Sequence, residues 1–592
     1  MASTPRELLI VLAEKPSGND IAMGALADFL GLEVLFRDFM RLLSEGFVQG
    51  RMQDNRMPAA ISGGAVGDIL RHGLMERFRS FLAAHASSLL VYGVAPRHGV
   101  AEGLSRLTGG AIRGVKAPGS IGHSYEVAAD GREVCGQLSG LRIGPVTSDF
   151  DHVFVMSGAP AKTFVSIDGE PFFVMTPVDG YPVFLTGASH VADVRTPVSS
   201  QPDVKAVFSP LLPAAMYLKG VFKAAAWRQP RSRACLIVDD PLLKERYGFL
   251  HFRSLVDLMD AHDFTTSIGF IPWNFRRTGR ETARLFRARP DRVSLCVHGC
   301  DHTQDEFGLP DREGLHSMVR TASDRMERHG AATGIAFDNV MVFPQGVFSI
   351  PAMEALKSNN YLAAVNWDVF PVDFQGPLEM KAFLEPAVTA FGDFPLFLRR
   401  LPEEVDDIAM DLFWGRPALI MAHHAFFRDG HHKAVETANR INALEGGVEW
   451  RSPAEIIKRS YLSRKEPDGA TGIKSYVAET VIENPAVCGK RYILTKKEPA
   501  VPLRVTLASG KEPAYEHRNG ELCLALDVGP HGRESVTLVY PNDCPRPGSA
   551  GGFRRAAGIR MRRYLSEIRD NHLSRNDRLL SLAVKLKDRL LP

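Results

Sequence analysis

A chain of 592 residues is longer than one hydrophobic core supports, so several domains are expected. Its 45% hydrophobic and 23% charged residues are ordinary for a folded protein and exclude wholesale disorder. The net charge of +3 is unevenly spread, because residues 549–592 hold nine Arg and two Lys against four acids and leave the rest slightly acidic.

No run of roughly 18 apolar residues occurs, so no transmembrane helix is expected. The opening MASTPRELLIVLAEKPSG has acidic residues directly after its short apolar run and reads as a first strand rather than a signal peptide. A cytoplasmic location is the matching expectation. Seven cysteines, odd in number and without paired CxxC spacing, suggest reduced thiols. Cys296 and Cys300 flank His298, but no second pair completes a zinc finger, so both read as small core residues.

Residues 1–226 alternate apolar runs with amphipathic stretches: LLIVLAE (8–14), SLLVYG (88–93), VFVMSG (153–158), FFVMTP (172–177) and YPVFLTG (181–187). Continuous apolar strands between helices predict a doubly wound, flavodoxin-like α/β domain with a parallel sheet. GGAVGD (63–68) lacks the Lys-Ser/Thr of a phosphate loop and reads as a plain turn. A second α/β pattern fills 227–465, with strands ACLIV (234–238), TTSIGFI (265–271), VSLCV (293–297), NVMVF (339–343), YLAAVNW (361–367) and ALIMAH (418–423). Repeated βα units predict a barrel or an incomplete barrel. Across 466–548 the period changes to two, in KSYVAETVI (474–482), KRYILTK (490–496), PLRVTLAS (502–509), LCLALDV (522–528) and SVTLVY (535–540), which predicts an antiparallel β-sandwich. The tail, 549–592, is basic and helical, with Ile559, Tyr564, Leu565, Ile568, Leu579, Leu580, Leu582, Val584, Leu586 and Leu590 as its apolar positions. It suits packing on a neighbouring domain, a subunit contact or a peripheral membrane contact.

Chemistry gathers at predicted strand ends of the middle domain, where βα folds assemble their sites. Asp239-Asp240 follows CLIV, and two adjacent carboxylates there are costly unless a cation or proton separates their charges. H-G-C-D-H, 298–302, follows VSLCV, and histidines four apart can reach one metal ion. Two imidazoles and one carboxylate leave positions open for water and substrate, as a catalytic site requires. A divalent metal is the implied cofactor, zinc first, with Co²⁺, Mn²⁺, Ni²⁺ and Fe²⁺ as alternatives. VFPQG (342–346) ends a further strand and makes Pro344 and Gly346 candidate substrate contacts. His423-His424 follows ALIMA, and one of the two could protonate a leaving group, with His424 preferred.

The order D-D, H-x-x-x-H, a Pro-containing strand end and a late strand-end His resembles the polysaccharide deacetylase family, also called NodB-like or carbohydrate esterase family 4. The family's T-F-D-D stands here as I-V-D-D, its H-S/T-x-x-H as H-G-C-D-H, and its L-x-L-H as M-A-H-H. The resemblance covers about 230–460. It implies Asp240, His298 and His302 as metal ligands, Asp239 as base, and His424 or His423 as acid. The implied activity is removal of acetyl groups from a carbohydrate, and Trp273 and Asn274, after TTSIGFI, could then line a sugar-binding face; no nucleic-acid partner is expected. The family's third motif carries an Arg that holds the base; VFPQG has none, and Arg399 or Arg400 is the available substitute. A non-catalytic carbohydrate-binding or scaffold protein retaining the metal site is the alternative expectation.

Overall fold

The structure is a computed structural model that describes residues 6–12, 15–44, 56–120, 122–308, 311–444, 446–500, 503–540 and 553–575. Its first sheet has nine strands, and the first five in spatial order are parallel: Glu33–Asp38, Glu7–Leu12, Met57–Ser62, Ala86–Tyr92 and Tyr181–Thr186. This is the order of a flavodoxin-like fold. Both faces are covered, since Leu8, Ile10 and Ala60 join one core cluster while Val11, Ala59 and Ile61 join another. The continuous apolar runs of the sequence follow from that two-sided burial. The sheet then continues antiparallel through Glu170–Val178, Lys162–Ile167, Gly122–Val127 and Arg142–Thr147. FFVMTP and YPVFLTG are thus the two arms of a hairpin, because Asp179-Gly180 between them turns with positive φ at both residues. GGAVGD is not a turn but the start of the helix Gly63–Arg71, capped by Ser62. Gly63 serves packing, since a Cβ there would stand 3.1 Å from the backbone of Val94.

The middle third closes into a barrel of seven parallel strands, Arg233–Asp239, Thr266–Phe270, Val293–His298, Asp338–Val342, Ala363–Asn366, Leu396–Arg400 and Ala418–His423. They pair in chain order, and the last returns to the first with Asp239 opposite His423. Leu396–Arg400 was not among the expected strands; its two arginines interrupt the apolar run that marks the others. Side chains alternate along each strand. Cys235, Ile237, Cys296, Phe397 and Leu419 share one buried cluster, and Leu236, Val238, Leu295, Leu398 and Ile420 share the other. Two residues beyond Ile237, Cys296 and Phe397 come Asp239, His298 and Arg399, and His423 follows Leu419 and Met421 in the same phase. Period two therefore delivers one acid, two imidazoles and one guanidinium to the same end of the same barrel.

Residues 462–539 form two small sheets, a five-stranded one and a three-stranded one, around a shared core that includes Ile473, Ile482, Leu494 and Leu538. KSYVAETVI is two strands, Thr471–Ser475 and Glu479–Glu483, which lie in different sheets. The crossing residues Tyr476 and Val477 are buried with the barrel cluster instead of continuing either strand. The last α-helix among the described residues is Phe553–Asn571. Leu579, Leu580, Leu582, Val584, Leu586 and Leu590 lie outside the described residues. Among the described residues, no helix is long and apolar enough to cross a membrane.

Candidate metal centre

Asp240, His298 and His302 are brought together by one bend and one loop. Asp240 leaves the first barrel strand with φ of 81°, a conformation that costs a non-glycine residue on the order of 1–3 kcal/mol. Gly299 turns the chain sharply after His298, and His302 returns with φ of 55°. Side chains are excluded at 299, since a Cβ there would collide with Glu306 and with the ring of Pro344. Glu306, which the sequence did not single out, is almost fully buried. Its carboxylate accepts backbone N–H bonds from Cys300 at 2.8 Å, Asp301 at 3.2 Å, His302 at 3.2 Å and Thr303 at 3.1 Å. One acid thus fixes the whole H-G-C-D-H loop.

One ligand atom from each of the three residues lies within 4.8 Å of the other two. His302 Nε2 stands 3.1 Å and His298 Nε2 3.5 Å from Asp240 Oδ1. His298 Nδ1 is 3.0 Å from the Val342 carbonyl, an acceptor, so that nitrogen carries the proton and Nε2 turns its lone pair toward the carboxylate. Two acceptors facing one another need a cation between them. Asp240 Oδ1 is buried without a hydrogen bond among the described residues, as the same reasoning requires. Burial alone would raise the Asp240 carboxyl, but His302 and His298 outweigh it and hold it well below the usual carboxylate range. Burial would lower the His298 imidazole, yet Asp239 and Asp240 outweigh that too and raise it. The residues therefore fit a small cation: a hard oxygen, two imidazole nitrogens, and a field that favours positive charge.

Asp239 lies beside this trio and makes different contacts. Arg399 Nη1 is 2.9 Å from its Oδ1 and 2.7 Å from its Oδ2, and both side chains are 2% exposed. Gly269 leaves the room, since a Cβ there would stand 2.8 Å from Asp239 Oδ1. The arginine missing from VFPQG is thus supplied by another strand. Arg400 faces elsewhere and pairs with Asp411 at 2.7 Å.

A cavity of about 350 Å³ opens over these residues, lined by Asp239, Asp240, His298, His302, Arg399 and His423, and further by Gln345, Gly346, Trp367, Met421 and Arg569. His423 Nε2 is 4.0 Å from Asp239 Oδ2, and the side chain is half exposed. His424, the expected acid, lies outside the cavity: it begins a 3₁₀ turn and points to Tyr247 and to Asp570, 3.4 Å away. Strand alternation from Leu419 and Met421 selects 423, not 424. Pro344 also leaves the expected list of substrate contacts, because it packs beneath Gly299, whereas Gly346 does line the cavity. Gly346 is held by Asn366, whose side-chain amide donates to its carbonyl at 2.8 Å. Trp273 and Asn274 are likewise not at the cavity; Asn274 is buried, and Trp273 meets Tyr564 of the last helix. Trp367, 49% exposed, is the aromatic that borders the cavity instead.

The last helix lies on the barrel mouth. Glu567 pairs with Lys244 at 2.8 Å and with Arg277, Asp570 accepts from the Tyr247 hydroxyl at 2.7 Å, and Asn571 accepts from the Gly248 N–H at 2.7 Å. The described part of the basic tail thus packs on its own chain.

No protein-family model matches the sequence, and no curated protein matches it. Solved structures do match in shape. One described as Agd3, a novel carbohydrate deacetylase, superposes with a TM-score of 0.50 at 10% identity, over 90% of this chain and 99% of that one. A polysaccharide deacetylase from Mycobacterium smegmatis matches 39% of this chain and 92% of its own at 14% identity, TM-score 0.29. A family 4 carbohydrate esterase from Streptomyces lividans covers 36% of this chain and 86% of its own at 11% identity, TM-score 0.22. At such identities the likeness is one of fold. The chain has a polysaccharide-deacetylase-like fold in a strongly divergent form.

Proposed function

We propose that this protein is a metal-dependent hydrolase that removes acetyl or other N-acyl groups from an amino sugar or polysaccharide. The observation that carries the proposal is the division of labour between two adjacent carboxylates. Asp240 turns Oδ1 to two imidazoles with no hydrogen bond among the described residues, while Asp239 is held by a buried arginine at the edge of the same cavity. The deacetylase-like fold and the carbohydrate deacetylases among similar structures agree with it.

Asp240, His298 and His302 would hold the ion, zinc first among the candidates. Such an ion, when bound, polarises an acyl carbonyl and acidifies water. Asp239 then accepts the proton of the attacking water, and Arg399 keeps its carboxylate oriented throughout. His423 reaches the cavity from the neighbouring strand and holds the proton that the departing nitrogen needs. Asn366 keeps Gly346 in place on the opposite wall. The products are a free carboxylic acid, acetate for an acetyl group, and an amino sugar.

Acetate release from N-acetylated amino-sugar oligomers by the zinc-reconstituted protein tests this reading. Asp239→Asn is expected to lower the rate by about 10²–10⁴ while the protein keeps its metal. A metal-replete protein that releases no acetate, with Asp239→Asn changing nothing, would leave the non-catalytic scaffold reading in its place.

A further inference from the structure

One cation at the cavity has no part in the reaction above. Arg569 comes from the helix Phe553–Asn571, far along the chain from every metal ligand, yet it lines the same cavity as Asp240, His302 and His423. Its Nε donates to Asp570 Oδ1 at 2.7 Å. Asp570 is buried, 3% exposed, and is itself held on two sides: the Tyr247 hydroxyl donates to it at 2.7 Å, and His424 Nε2 stands 3.4 Å away. Tyr247 and His424 both belong to the barrel rim. The guanidinium is therefore fixed through an acid that is anchored to the barrel.

Its terminal nitrogens are another matter. Among the described residues neither Nη1 nor Nη2 of Arg569 has a partner, and the side chain is 49% exposed. The other arginine of the cavity, Arg399, is committed to Asp239. A planar pair of N–H donors, held by its third nitrogen on a residue that lines an open cavity, matches the two oxygens of a carboxylate or phosphate. A neutral N-acyl sugar offers nothing of that charge.

We propose that Arg569 is a specificity-determining residue that binds an anionic substituent, a carboxylate or a phosphate, on the sugar presented to Asp240, His298 and His302. The inference rests on the deacetylase reading, which it narrows to acidic N-acylated sugars. It also makes the last helix a wall of the substrate site.

The test uses the full-length, zinc-loaded protein and three N-acetylated oligosaccharides: neutral, carrying a uronic carboxylate, and carrying a phosphate monoester. The readout is the ratio of kcat/KM for each acidic substrate to that for the neutral one, which cancels any loss of folded protein. The native protein is expected to favour one acidic substrate by at least about tenfold, the effect of one charge-assisted pair. Arg569→Gln should abolish that preference through KM rather than kcat, and Arg569→Lys should restore part of it. Whichever ratio collapses identifies the anion. Calorimetric binding of the free uronate and of the sugar phosphate to Asp239→Asn, with and without Arg569→Gln, gives a second readout that needs no turnover. Binding lost with Arg569→Gln while no substrate releases acetate would sink the deacetylase reading and keep the anion site. Equal ratios in the native protein and Arg569→Gln, or no preference in the native protein, would overturn the inference and leave the deacetylase reading standing.

Discussion

At the carboxyl edge of the N-terminal sheet, the Tyr92 hydroxyl donates to Asp20 at 2.6 Å, and the other Asp20 oxygen accepts from the Ser17 backbone to cap a helix. Asn19 joins Ser189 and Val191 in the same region. Each of these polar groups meets a neighbour of opposite need. At the carboxyl ends of the barrel strands, Asp240 Oδ1 meets two imidazole nitrogens and, among the described residues, no hydrogen-bond donor. In both regions the polar groups stand at the ends of parallel, apolar strands, so the difference lies in closure. An open sheet spreads its strand ends along a line, and local partners satisfy them one by one. A closed barrel turns them toward one axis, so residues from four strands share one cavity.

Breaking the Arg399–Asp239 pair tests that contrast most severely. Arg399→Met leaves a buried carboxylate without its partner, and a loss of about 3–5 kcal/mol in unfolding free energy is expected. Acetate release should fall with it; a variant as stable as the native protein would show that the pair is not the anchor described. Next come the two adjacent histidines. His423→Gln should lower kcat by about a hundredfold with little change in stability, whereas His424→Gln should loosen the last helix through Asp570 and affect thermal stability first. Equal effects on kcat would erase the distinction between the two faces of that strand end. In the N-terminal sheet, Tyr92→Phe removes the donor from buried Asp20 and should cost about 1–3 kcal/mol by denaturant titration, with kcat untouched. A change in kcat there would mean that the two regions are coupled.

The smallest effect is one of pH. His329 is buried against Phe270 and bonded to Thr278, and burial pushes its imidazole down to about 4. The unfolded chain takes up this proton below about 6.5 and the folded chain does not until about 4, so stability falls as pH drops through that window. His329→Gln should flatten the slope between those limits, measured as denaturation midpoints. An unchanged slope would assign it to other groups.

The sequence carries the barrel and its ligands openly because both depend on local signals. Apolar runs ending in D-D and H-G-C-D-H state the strand, its end and the donor types within a few residues. Arg399 is harder to read: LFLRR looks like a broken strand, and its contact with Asp239 spans 160 residues. The choice between His423 and His424 was legible in principle, since Leu419 and Met421 set the inward phase. Glu306 gives no signal of its own, because four backbone N–H groups converge on it only after Gly299 has turned the loop. Nor does amphipathic spacing in the tail say which surface it covers. Trp273, a sugar-face candidate because it is an aromatic after a strand end, meets Tyr564 of that tail instead.

The Tyr247–Asp570 and Lys244–Glu567 contacts join residues 323 positions apart. Synthesis runs in the other direction from this dependence. A chain emerging N-terminus first can close its barrel, and bring Asp240, His298 and His302 together, well before the helix that roofs them exists. The nascent protein therefore passes through a stage in which these three candidate ligands are gathered at a barrel mouth that the helix does not yet cover.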